Sequence, residues 1–185
     1  MIVEANDLRG NLLSGLFASG DAAERAYEAC VELGYEIGDV NVIVSDDTRA
    51  KLLKSSEKDA DDVKAQLAAS KAEGGELGGP KGGRAGILIT ILAAVGAAVV
   101  VPAVGVVVGP VAVALAAAGA AGAAAGLVSA FSDWGVPPQQ VQRYEDDIRD
   151  GAILMVVETR SKGDAQSLAR EWSAVGGREV QYRTA

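Results

Sequence analysis

Catalysis draws on few residue types, and this chain lacks the most versatile of them. Its 185 residues include no histidine, which removes the commonest general base and metal ligand. The one cysteine, Cys30, would need a neighbouring base to act as a nucleophile. Without histidine, neither a Ser-His nor a Cys-His pair can form. Cys30 falls on the apolar face of a predicted helix, which predicts a structural core thiol. It also leaves no intramolecular disulfide and fits a reducing compartment.

Acidic residues cluster at Asp46–Asp47, Asp61–Asp62 and Glu145–Asp147. None of these has the alternating ligands and central glycine of a calcium loop, so they read as solvated helix faces and a loop. The segment Gly78-Gly-Pro-Lys-Gly-Gly-Arg84 lacks the Lys-Ser/Thr ending of a phosphate-binding loop, and it follows a charged run rather than a strand. The sequence therefore predicts no catalytic residue, no metal ligand set and no cofactor. A net charge of −8 argues against a nucleic-acid partner and against docking by charge onto anionic lipid. The start, Met1-Ile-Val-Glu-Ala-Asn-Asp7, has neither the basic opening nor the long apolar core of a signal peptide. A cytoplasmic protein is expected, meeting any membrane through an internal segment.

With chemistry set aside, the elements carry the argument. Two stretches read as copies of one pattern: strand, turn, helix, glycine, strand. The first runs through residues 11–45 and ends in Val40-Asn-Val-Ile-Val44. The second lies within 133–185, from Ala152-Ile-Leu-Met-Val-Val-Glu158 to Glu179-Val-Gln-Tyr182. In each, a Gly-Asp pair opens the helix, with Asp21 and Asp164 expected as N-caps. Gly34 and Gly176–Gly177 are suited to the left-handed C-cap.

Helical spacing puts Ala23, Ala26, Tyr27, Cys30 and Val31 on one face of the first helix. It does the same for Ala165, Leu168, Ala169 and Trp172 on the second. The expected fold is α+β: a ferredoxin-like split βαβ sandwich, with Ile153–Val157 as a central strand and the last strand more exposed. An insertion separates the second and third strands of that sandwich. Residues 46–84 read as a charged helix, over about Ser56 to Lys71, and a Gly-rich linker. Residues 85–132 read as an apolar helical hairpin, and an amphipathic helix bearing Val141, Tyr144 and Ile148 follows.

The stretch Ala85–Ser132 holds 48 residues without a charged side chain, between Arg84 and Asp133. Pro102 and Pro110 divide it, and the segment from one to the other, with two prolines and two glycines, reads as a turn. The arm Ala85–Val101 would rise about 25 Å as a helix and Val111–Phe131 about 31 Å, against a bilayer core of about 30 Å. The second arm is poor in large side chains: from Ala116 to Gly126 none exceeds a methyl group. Gly105 and Gly109, and Gly122 and Gly126, stand four apart, with Gly119 between the pairs. Fourfold spacing lets helix backbones approach closely, so these five glycines are the candidate oligomerisation residues. Trp134 would either anchor at a membrane interface or plug the base of the hairpin against the sheet.

The flanking halves resemble the bacterial general stress protein 17M-like family, also met as YflT-type heat-induced stress proteins. The resemblance rests on Gly15-Leu-Phe, Asp21-Ala-Ala-Glu-Arg-Ala, the run Gly34 to Val44, Gly135-Val-Pro, Tyr144-Glu and Gly151-Ala-Ile-Leu-Met-Val-Val157. It implies a ferredoxin-like domain interrupted by a glycine-zipper hairpin, and a stress-linked role without catalytic residues.

Two expectations follow. One is a non-enzymatic homo-oligomer, associated with a membrane through the hairpin and with its globular domain on the cytoplasmic side. The other is a soluble oligomeric scaffold whose hairpins enclose an apolar core or a chamber for a lipid or quinone.

Overall fold

A computed structural model of the chain describes residues 11–36, 39–54, 98–101, 104–109, 112, 127–128, 131 and 134–183. The described strands are β1 (Asn11–Phe17), β2 (Val40–Val44), β3 (Ala98–Val101), β4 (Gly105–Val108), β5 (Ile153–Thr159) and β6 (Arg178–Arg183). The long described helices are α1 (Gly20–Glu32), α2 (Pro138–Arg149) and α3 (Lys162–Ala174). Residues 46–54 are also helical.

The molecule is α+β, and its strands form one sheet in the order β3-β4-β2-β5-β1-β6. Every neighbouring pair is antiparallel. The unit β1-α1-β2 straddles β5, and the unit β5-α3-β6 straddles β1. Neither half completes its sheet without a strand from the other.

Alternation along the strands divides the apolar side chains between two cores. Leu13 and Phe17 of β1, with Val42 and Met155, join α1 and α3 on one face. Leu12, Leu16, Ile43, Leu154 and Val156 join α2 on the other. The apolar run Ile153–Val157 of β5, and that of β2 interrupted by buried Asn41, follow from this, because a strand covered on both faces has no use for polar alternation. As expected, Ile153–Val157 lies in the interior of the sheet, and β6 is a partly exposed edge strand.

Trp172 locks the first core. Its ring sits over Gly15 of β1, where an added Cβ would lie 2.9 Å from ring carbon Cε3. The ring meets Phe17 edge-on at 5.5 Å, and its Nε1 donates to the Ala26 carbonyl at 2.9 Å. One side chain thus joins α3, β1 and α1. Ala23, Ala26, Tyr27 and Cys30 are buried as expected, whereas Val31 is 43% exposed, because α1 meets the sheet along a narrower stripe than helical spacing allowed.

The helix caps correct the sequence reading. The N-caps are Ser19 and Ser161, not Asp21 and Asp164, which lie in the first turns of α1 and α3. Ser19 Oγ accepts from Ala22 N and Ser161 Oγ from Asp164 N. A serine cap bonds the backbone while a carboxylate one turn in still faces the positive end of the helix. Gly34 and Gly176 adopt positive φ just after their helices, as expected of C-cap glycines, and Gly151 does so after α2.

The insertion departs most from expectation. Residues 46–54 are helical where no helix was expected, and the charged helix expected over about Ser56 to Lys71 lies wholly outside the described residues. Residues 98–101, expected at the end of a helical arm, and 105–108, expected as a turn, instead form a β-hairpin. β4 extends the sheet beyond β2. The runs Val99–Val101 and Val106–Val108 explain this, since consecutive β-branched residues lose side-chain freedom in a helix and pack well in a strand.

The Gly15–Trp172 contact gives a test. Gly15→Ala should lower unfolding stability by about 1–3 kcal/mol through overpacking, read as a reduced urea midpoint. An unchanged midpoint would show that the ring is not fixed over β1.

Candidate functional site

The five candidate oligomerisation glycines divide into two groups. Gly119, Gly122 and Gly126 lie outside the described residues. Gly105 and Gly109 do not share a helix face, because they bracket β4. Their φ values are +132° and +113°, a region that favours glycine. A Cβ on Gly105 would lie 2.2 Å from the Val44 carbonyl oxygen, and one on Gly109 2.7 Å from that of Val40. The glycines therefore let β4 close against β2, within the domain rather than between helices.

Strand at 98–101 also shortens the first arm. A helix confined to residues 85–97 would rise about 20 Å, less than the roughly 30 Å of a bilayer core. The second arm touches the domain at both ends. Ala112, Leu127 and Phe131 are helical and buried in the second core, beside Val141, Tyr144 and Leu154. Trp134 packs on that core with its ring 5.7 Å from Phe131, so it plugs the base of the insertion against the sheet. No helix among the described residues is long and apolar enough to cross a membrane.

The same face carries a polar network that sequence reasoning missed. Gln140, near the start of α2, donates from Nε2 to Tyr144 OH at 2.5 Å and to Gln181 Oε1 at 2.7 Å. Tyr144 OH lies 3.0 Å from Ser14 Oγ in β1. Arg183 Nη2 donates to Gln140 Oε1 and Gln181 Oε1. The guanidinium is thus held by amide oxygens, and its Nε is buried with no hydrogen-bond partner among the described residues. Such a network stabilises one placement of α2, because a shift would strand buried donors. Ser14 and Gln181, opposite one another on β1 and β6, were its visible signal: polar residues at positions facing an apolar core.

A second cluster joins the two halves at one end of the sheet. Tyr35 OH accepts from the Arg160 backbone N–H at 2.9 Å and donates to Asp164 Oδ2 at 2.9 Å. Arg160 also reaches the Gly34 carbonyl and Asp39, with its guanidinium 4.4 Å from the Tyr35 ring centroid. The cluster ties the turn after α1 to the turn before α3.

Burial pushes the Cys30 thiol up to about 12, and its Sγ donates to the Ala26 carbonyl at 3.5 Å. The thiol is therefore a core element, as expected. Among the described residues, no three His, Cys, Asp or Glu side chains converge to hold a metal ion.

Gly105→Ala should cost the domain itself at least about 2 kcal/mol, from backbone strain and the clash with β2. Unchanged urea stability would detach the glycine from the sheet. Alkali gives a second test. Burial raises Cys30 from 9.0, and Tyr27 and Tyr35 from 10.0, to about 12. The folded protein keeps these protons where the unfolded chain releases them. Their contribution is full below about pH 9 and fades as pH rises toward about 12. Urea midpoints should fall over that window, and a flat profile would contradict the burial of these groups.

Compared with known proteins, the chain matches no protein-family model, no curated protein and no solved structure.

Proposed function

We propose that this chain is a non-enzymatic protein that self-associates through its uncharged Ala/Gly-rich insertion. Its core is read as a ferredoxin-like split βαβ unit. The partial order β6-β1-β5-β2 supports this, with α1 and α3 on one face. The hairpin β3-β4 then enlarges the sheet at its β2 edge.

One observation carries the reading. Ala112 and Leu127, which flank the run 113–126, are buried in the same core on one face of the domain. That run has no charge, and nothing after Leu115 exceeds a methyl group. A solvated tether would be expected to carry charge, serine or proline, whereas small apolar residues suit close contact between backbones. The missing histidine and the buried Cys30 support a binding role over catalysis. The resemblance to stress proteins supports deployment as a scaffold under stress.

The strands at 98–101 and 105–108 favour assembly in water over a membrane-spanning helical hairpin, since an isolated hairpin edge suits hydrocarbon poorly. On this reading the insertions form a shared apolar core or a chamber for a lipid or quinone. Detergent-free fractionation followed by light scattering tests it. Wild type should run as a multiple of 18.8 kDa, and Gly122→Leu with Gly126→Leu should reduce that mass. A monomer in both proteins would overturn self-association. Recovery only in carbonate-washed membranes would replace the soluble scaffold with a membrane-inserted assembly.

A further inference from the structure

The sheet has two edges, and they are built differently. An exposed edge offers unpaired N–H and C=O groups, so proteins guard edges with charge, bulges or proline. β6 is guarded. It carries Arg178, Glu179 and Arg183, and Glu179 sits at φ +47° where the register with β1 shifts between Ser14 and Leu16. This bulge breaks the regular edge that a further strand would need.

β3 has none of these devices. Its sequence is Ala98-Val-Val-Val101, with no charge, proline or glycine. It pairs with β4 in unbroken register, from Ala98 opposite Val108 to Val101 opposite Gly105. Among the described residues it has no other strand partner.

We infer that β3 is an intermolecular pairing edge whose occupant is the β3 of a second copy of this chain. Resting on the self-association reading, this names the surface that sets its geometry. Two arguments select a second copy. Each chain carries a net charge of −8, so two copies repel unless they meet where carboxylates are absent. β3 lies within the uncharged stretch, whose bounding charges are Arg84 and Asp133.

The second argument is closure. An antiparallel β3–β3 contact is isologous and stops at two copies, whereas β3 on β6 would propagate head to tail into a fibre. The guarded β6 edge blocks the second arrangement and leaves the first. Opposed residues share a face of the sheet, so a symmetric register sets one residue opposite its own copy, Val99 or Val100 at the middle of the strand. Two six-stranded sheets become one continuous sheet.

The test uses the full-length chain. In wild type, amide exchange at 98–101 should slow as protein concentration rises through the dimer's dissociation constant. Exchange at β6 should not change. Val99→Lys with Val100→Lys should weaken the dimer at least ~10-fold, with native circular dichroism and urea midpoint checking that the domain still folds. Concentration-independent exchange at 98–101 in an assembled protein would overturn edge pairing while leaving association through the Ala/Gly run intact. So would loss of assembly in the glycine-to-leucine variant alone. A wild-type monomer at all concentrations would overturn both.

Discussion

β5 pairs with β2 on one side and β1 on the other, and nearly all its side chains are buried. Such a strand exists only if both faces of the sheet are covered, and that requirement shapes the rest of the molecule. α1 and α3, one from each half, cover the first face. No helix of the two repeated halves covers the second. α2 and the returning end of the insertion do, through Tyr144, Ile148, Leu127 and Phe131. The insertion is therefore structural at its margins, whatever its centre contacts.

The two covers are fixed by different physics. Trp172 secures the first by shape, filling the space left by Gly15 and meeting Phe17 edge-on. Gln140, Tyr144, Ser14 and Gln181 secure the second by direction, through hydrogen bonds made in one alignment of helix and sheet. Apolar packing tolerates small slides, and hydrogen bonds do not. The network suits a helix whose apolar contacts alone define its position loosely.

Much of this was legible in the residues. The repeated strand-helix-strand halves, the C-cap glycines at 34 and 176, the inward face of α2 and the central place of Ile153–Val157 all follow from periodicity and glycine placement. The caps were misread because Asp and Ser both favour that position, and they stand only two positions apart in the first half and three in the second. The β3-β4 hairpin was misread because total hydropathy over the stretch outweighed two short valine runs that carried the strand signal. The second-face network showed in the sequence only as Ser14 and Gln181, polar residues at positions facing an apolar core. Its members are spread over residues 14, 140, 144, 181 and 183, and only the paired strands bring them together. The roles of Gly119, Gly122 and Gly126 rest on spacing alone.

The docking of β4 beside β2 also bears on how the chain can afford its insertion. Between Val44 and Ile153 the backbone must leave the sheet and come back. The entropy lost in closing a flexible loop rises only with the logarithm of its length, about 0.6 kcal/mol for each doubling. β4 returns to the sheet partway and divides the excursion into two shorter loops, each closed by its own contacts. Added residues in either loop therefore burden folding little. The length and composition of the Ala/Gly run are free to answer to what it touches rather than to the fold that carries it.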